Sequence, residues 1–371
     1  MSSTPASPVT APLRYAPSYE HPGPHEAETQ KAIDEQMHKI QEKTYADGGR
    51  AIRSVHAKSH GLLVGELVVE PGLPAIYAQG LAASGERLPI VIRLSTVPGD
   101  ILPDDISTPR GLSVKIIGVK GERLPGSEGD VTQDFVMVNG PAFQNKDASK
   151  FASNLKLLAA TTDKAEGTKQ VLSAALRGLE KAVEAVGGQS ATLTALGGHP
   201  ETNPLGETYY TQVPVLWGEY FGKLCVRPLS QEMKALHKAP VDLKDKPNGL
   251  RDVVREYFAG QGAVWELCVQ LCTDIEKMPI EDASVVWDET ASPYVPVARL
   301  LVHPQSSYDH ARASAIDERL AFSPWHGIAA HRPLGSVMRL RRQAYANAQR
   351  FRATKNHVVL SEPKTIADVG L

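Results

Sequence analysis

Eight short apolar segments constrain this chain more than any other feature of its sequence. Four come in succession: Gly61–Glu70 (GLLVGELVVE), Leu88–Val97 (LPIVIRLSTV), Gly111–Gly118 (GLSVKIIG) and Asp134–Asn139 (DFVMVN). They are rich in β-branched residues, and their links carry Gly, Pro and Asp, as strand connections should. Four strands joined by short links favour an antiparallel sheet that closes or nearly closes. The period then switches. Residues 146–186 hold two helical segments, DASKFASNLKLLAA and TKQVLSAALRGLEKAVEAV, read as a helical insertion between strands. Residues 187–207 read as a loop rich in Gly, Thr and Pro. Strand signals resume at Thr208–Val213, Trp217–Val226, Ala263–Thr273 and Val295–Val302. Pro214 separates the first two, because proline is poorly tolerated inside a central strand.

The flanks of this pattern differ. Residues 1–25 are rich in Pro, Ser and Thr and predict an irregular arm, ordered only where a partner subunit or the body holds it. Residues 26–48 predict a polar helix with a narrow stripe of Ala32, Ile33, Met37 and Ile40. The tail, 357–371, predicts irregular structure. Charge adds an exclusion: a formal net charge of −2 gives no reason to expect a nucleic acid or an anionic membrane as partner. No apolar run approaches the ~20 residues that span a bilayer. The first residues lack the apolar core of a secretory leader. Three cysteines, Cys225, Cys268 and Cys272, are too few and too odd for a disulfide framework and predict a reducing, cytoplasmic setting. Cys268 and Cys272 share one strand face without a nearby histidine pair, so they read as buried structural thiols.

The chemistry is concentrated in three stretches. Residues 335–352, GSVMRLRRQAYANAQRFR, predict one amphipathic helix on which Val337, Leu340, Arg341, Ala344, Tyr345 and Ala348 recur at three- and four-residue steps. Arg341 and Tyr345 stand one turn apart on one face. A guanidinium beside a tyrosine favours the phenolate, and a phenolate is a hard oxygen donor suited to ferric iron. The plain alternative is a basic surface helix with a tyrosine on its core side. In RSVHAKSHG, residues 53–61, His56 is a ligand, an acid–base group or a hydrogen-bonded core residue; zinc on His56 and His60 would require a helix, which a strand entry is not. In VIRLSTV, residues 91–97, Arg93 and Ser95 share one strand face, taken as the inner face of the barrel, where they would need an anion and a ring nitrogen as partners. A solvent-facing side of a one-sided sheet is the alternative.

Taken in order, six segments resemble the haem catalases and the smaller catalase-related peroxidases: RSVHAKSHG; VIRLSTVPGD with PRGLSVKI; QDFVMVNGPAF; YYTQVPVLWGEYFGKL; MPIEDASVVWDETASPYVPVARLLV; and LAFSPWHGIAAH with RLRRQAYANAQRFR. The resemblance covers roughly residues 50–356. It implies an α+β fold, a closed eight-stranded antiparallel β-barrel with inserted and appended helices, within a haem-binding domain spanning residues 49–356.

Residue by residue, the resemblance makes Tyr345 the proximal tyrosinate on the metal and Arg341 the arginine that keeps it ionised. His56 becomes the distal histidine, Ser95 the serine bonded to it, and Asn139 the distal amide. Arg53, Arg93 and Arg352 would hold the propionates of the haem, expected to be haem b, with Val55 and Phe143 also against the cofactor. The implied activity is cleavage of hydrogen peroxide or organic hydroperoxides, with a small organic electron donor, in a homo-oligomer (dimer or tetramer).

The pattern departs from the family in places. Met137 and Val138 stand where a glycine and another asparagine are usual, and STPRG lacks the usual acidic residue before the proline. Long catalases continue into a further helical domain after the proximal helix, and the 146–186 insertion is more like that of the short members. Both features point to the catalase-related peroxidase type. Val55 before His56 favours peroxide reduction over the alternative of a fatty-acid hydroperoxide isomerase or dehydratase like the allene oxide synthases, which carry a threonine there. A haem store without turnover is a further alternative, against which the His56–Ser95 pair argues.

Overall fold

The sheet is built outward from β1 (Ser59–Val69), which pairs antiparallel with β2 (Arg87–Thr96) on one side and β9 (Val295–Val302) on the other. The computed structural model describes residues 11–153 and 199–371. From β2 the ladder runs through β3 (Arg110–Ile117) and β4 (Thr132–Val138) to β5 (Tyr209–Tyr210). From β9 it runs through β8 (Ala263–Leu271) to β7 (Tyr220–Pro228), which also pairs with β5. The β5–β7 pairing closes an eight-stranded antiparallel barrel, as expected, with β6 (Val215–Trp217) attached to β7 as a hairpin arm.

Two strand expectations shift. The expected Trp217–Val226 strand is divided by a two-residue turn at Gly218-Glu219, where Gly218 takes φ 62°, a value that favours glycine. The expected Thr208–Val213 strand shrinks to two residues because Gln212 sits at φ 64°, which ends the extended run ahead of Pro214.

Side chains from all eight strands fill the lumen. One row across the sheet, Leu63, Ile92, Val114 and Phe135, shows the pattern, and all four are buried in a single apolar cluster. An eight-stranded interior is just wide enough for side chains to fill, so polar residues are pushed to the other face. This corrects the inner-face expectation for Arg93 and Ser95. Both alternate with Ile92 and Leu94 and point out of the barrel, yet both are only 2% exposed. The outer face here is covered by chain, not by solvent.

The cover comes from several elements. α1 (Glu26–Gly48) ends on Gly49 in the left-handed conformation and lays Ile33 and Ile40 against Leu340 and Ala344. α2 (Gly249–Gly260) buries Leu250, Val254 and Phe258 at four-residue steps. Val254 lies so near Gly61 of β1 that a side chain there would collide with it. α3 (Ser336–Asn356) starts at Gly335, φ 84°, and ends at His357, φ 53°. A single π-helical turn, Ala313–Glu318, precedes it. The tail is tied down: Glu362 pairs with Lys115 at 2.6 Å, and Val369 joins Leu62 and Ile316 in an outer cluster. The arm from residue 11 bonds the chain just after β8 and just before β7, through Leu13 N to Cys272 O and Tyr15 N to Glu219 O, both 2.8 Å. Of the expected 146–186 insertion, residues 154–186 lie outside the described residues, as do residues 1–10 of the arm and 187–198 of the loop. All three cysteines are free and buried.

Candidate active site

The site lies on the outer face of β2 and β3. His56, in the loop between α1 and β1, is held at φ 54°, a conformation uncommon outside glycine. Two backbone bonds impose it: His56 N to Val97 O at 2.8 Å and Ala57 N to Pro98 O at 3.0 Å. The ring's Nδ1 then lies 3.0 Å from Ser95 Oγ. Across the ladder, Ser95 faces Gly111, and Gly111 faces Val138. A Cβ on Gly111 would sit 2.4 Å from His56 Cε1 and 2.5 Å from Nδ1, so glycine is what lets the imidazole lie flat on the sheet. Burial, then the charges of Arg93, Arg341 and Arg53, push the imidazole down to about 3. His56 is neutral at pH 7. In the tautomer in which Nδ1–H donates to Ser95, the free lone pair is on Nε2.

Beside it, three arginines from three elements converge on one turn of chain. Arg93 Nε donates to Asp317 Oδ1 at 2.6 Å, and its Nη2 to Ala57 O at 3.1 Å. Arg53 Nη2 donates to the carbonyls of Ile316, Asp317 and Leu320. Arg352, from α3, donates to the carbonyls of Asp317 and Leu320. Ser59 Oγ donates to the other oxygen of Asp317. Burial alone would raise the Asp317 carboxyl, but Arg93 and Arg53 outweigh it and hold it below the usual carboxylate range. The cations bear the strain. Burial, then repulsion from Arg352 and Arg93, drives Arg53 well below the ordinary arginine value, and burial takes Arg352 down to about 10. Buried Nε of Arg53 has no hydrogen-bond partner among the described residues. Three guanidinium charges face one carboxylate, a surplus of two.

Helix α3 brings the remaining residues. Tyr345 is half-buried one turn beyond Arg341, and Arg352 follows two turns later. Arg341 sets its guanidinium over the ring of Phe143, 5.9 Å from the centroid, with Nη1 3.8 Å from Met338 Sδ. Phe143 in turn meets Phe151 at a tilted angle, ring centroids 5.4 Å apart. Half-buried Val55 immediately precedes His56. The charge field ties the parts together: Arg341 acts on His56, while Tyr345, Arg352 and Arg93 act on Arg53. His56, Ser95, Arg53, Arg93, Arg341, Tyr345 and Arg352 therefore share one neighbourhood.

Asn139 directs its side-chain hydrogen bonds elsewhere. Its Oδ1 accepts from Arg110 N at 2.8 Å, and its Nδ2 donates to His199 Nε2 at 2.7 Å and to Glu207. Val138 is the residue in register with Gly111 and Ser95, and Asn139 begins the turn beyond it. His60 likewise turns away from His56, placing Nε2 3.3 Å from Thr96 Oγ1. Asp317 and Gly111 were not anticipated as site residues. Gly111 carries a readable signal, a glycine opening an otherwise β-branched strand. Asp317 carries none, because the meeting of Arg53, Arg93 and Arg352 on it depends on closure of the barrel.

The comparisons with known proteins agree with this architecture. The family described as Catalase matches residues 17–171. No curated protein sequence matches the chain. Among solved structures, a fungal catalase aligns with a TM-score of 0.59 at 19% identity, over 84% of this chain and 61% of its own. Catalase A from Saccharomyces cerevisiae aligns at 0.58 and 20%, over 83% and 62%. A bacterial catalase aligns at 0.54 and 16%, over 83% and 59%. At such identities the likeness is one of fold. The chain spans about three fifths of the length of these proteins. The catalase sequence pattern thus covers residues 17–171, and the barrel shares the fold of these solved catalases.

Proposed function

We propose that the protein is a haem-dependent enzyme that cleaves hydrogen peroxide or organic hydroperoxides, of the short catalase-related peroxidase type. The observation that carries this reading is the surplus of two positive charges where Arg53, Arg93 and Arg352 meet Asp317. A haem brings two propionates, which would neutralise that surplus through charge-assisted bonds. The partnerless Nε of Arg53 is one donor such a group would satisfy. Tyr345 would supply the oxygen ligand to iron. Arg341, one turn away, would supply the opposite charge that a phenolate ligand needs, and Phe143 beneath Arg341 would keep that guanidinium on the helix face.

When bound, the haem supplies the iron at which peroxide is held and electrons are exchanged. The chain's own contribution is proton handling. His56 Nε2 takes a proton from the peroxide and returns it to the departing oxygen, a general base and then a general acid. A neutral imidazole is required for the first step, and burial beside three arginines enforces it. Ser95 orients the ring through Nδ1, and Gly111 allows the ring its place. Asn139, carried over as the distal amide, is the role the geometry supports least, since its bonds go to Arg110, His199 and Glu207. The purified protein, loaded with haem, is given hydrogen peroxide and an organic hydroperoxide in parallel. The reading requires consumption of at least one, and inertness toward both overturns it.

A further inference from the structure

A cleft of about 200 Å³ shares Arg53, Arg352 and Asp317 with the arginine cluster and extends beyond it to Arg251 and Tyr308. Neither His56 nor Tyr345 lines it. Seven charged side chains do, and they are unbalanced: Arg50, Arg53, Lys58, Arg251 and Arg352 against Asp317 and Glu318, five positive and two negative. Arg50 is matched by Glu318 at 2.6 Å, and Lys58 by Asp104 at 2.7 Å from outside the cleft. Arg251 is different. Its Nε and Nη2 both donate to one neutral acceptor, the Ser59 carbonyl, at 3.2 and 3.0 Å. Its guanidinium lies flat on the Tyr308 ring, 3.7 Å from the centroid. The site is therefore a rigid cation with an aromatic wall. Ile101 and Ala313 continue the apolar lining. The volume is below the ~300 Å³ at which pockets for larger organic ligands begin, which suits a single-ring molecule.

We propose that this cleft binds a small phenolic carboxylate as electron donor, an inference that rests on the peroxidase reading above. The carboxylate answers Arg251 at the Nη1–Nη2 end of the guanidinium, the Nε–Nη2 edge being held by the Ser59 carbonyl, and the ring packs against Tyr308 and Ile101. The phenol is the oxidisable end. Two such donors each lose one electron and one O–H proton; together they reduce one hydroperoxide, whose O–O bond breaks to give one alcohol and one water (two waters from hydrogen peroxide). Arg53 and Arg352 line both the cleft and the arginine cluster, so a donor seated here would share the arginines that would hold the haem propionates.

The test measures binding by calorimetry of 3-(4-hydroxyphenyl)propionate and of its neutral amide to the haem-loaded protein. The acid is expected to bind at least tenfold more tightly than the amide. In Arg251→Gln that preference is lost, with the acid weakened about tenfold and the amide unchanged. In the presence of peroxide, the same variant raises KM for the acid and leaves kcat and the oxygen release from hydrogen peroxide alone unaltered. Equal binding of acid and amide to the unmodified protein overturns the proposal, whatever the folding of the variant. So does a folded Arg251→Gln that keeps the preference. Selective acid binding by a protein inert toward peroxide would leave the carboxylate site standing and remove its role as donor site. Peroxidase turnover without acid preference would leave the peroxidase reading standing and overturn this proposal.

Discussion

His56 is held in a backbone conformation that a side chain rarely takes, and the surroundings show what that secures. φ 54° turns the imidazole onto Ser95 and into the space left by Gly111. Such strain costs on the order of 1–3 kcal/mol and persists where neighbours over-determine it; here the bonds to Val97 and Pro98 do so. Gly111→Ala should displace the ring, because its methyl has no room short of 2.4 Å from His56. We expect the peroxide reaction to fall at least tenfold with haem content preserved; an unchanged rate would show that the ring's position is immaterial. His56→Ala should fall further, by roughly 10²–10⁴. Asn139→Ala should behave differently. It leaves the Arg110 N–H and His199 short of partners, at about 1–3 kcal/mol, so thermal stability should drop while the peroxide rate moves less than in His56→Ala. Much of this was legible beforehand. RSVHAKSHG and VIRLSTV pointed to His56, Ser95, Arg53 and Arg93. What could not be read was which face of the barrel they occupy, because strand alternation gives two faces without saying which one closes around the core.

At the scale of elements, α3 depends on how its first turn is fixed. Arg339 there is surrounded by three carboxylates from distant segments: Glu20 at 2.9 Å, Glu26 at 2.5 Å and Glu281 at 2.9 Å. Glu20 also accepts from Gly335 N, at the helix start. The N-terminal arm thus works as a strap over the helix that carries Arg341 and Tyr345. Arg339→Met would leave those carboxylates facing one another, and removing one partner of a largely buried network costs roughly 3–5 kcal/mol. Thermal unfolding should register that as a fall of several degrees, with the helix-borne site disturbed in parallel. A melting temperature equal to that of the unmodified protein would rule out the strap. The helix was legible from its period, and α2 was not. Its apolar residues are few, and their four-residue spacing acquires meaning only once Val254 is seen against Gly61 of β1.

The whole molecule should be acid-sensitive for a countable reason. His56 is pushed down to about 3, His326 and His331 to about 4, and His60 and His199 well below their ordinary value, in each case first by burial. Histidines freed by unfolding take up protons near pH 6.5, while these cannot until far lower. The unfolded state therefore binds more protons between about pH 6.5 and 4, and stability falls as pH falls through that window. Asp134 opposes the trend, its carboxyl raised to about 7 by burial and then by Glu362, with Lys115 drawing it down. Asp104 and Asp130, also raised first by burial, act the same way, and three carboxyls against five histidines do not reverse the sign. Melting temperatures should decline steadily from pH 6.5 to 4; a flat profile would mean these histidines are not buried neutral.

The account as a whole rests on Tyr345 and the arginine cluster holding a haem against His56. The most direct test is the ferric absorbance spectrum of the protein and of Tyr345→Phe after equal addition of haem. The account predicts one haem per chain with a high-spin ferric spectrum in the unmodified protein, and lost or weakened haem with an altered spectrum in the variant. A protein that takes up no haem, or a variant that binds it equally with an identical spectrum, would contradict it.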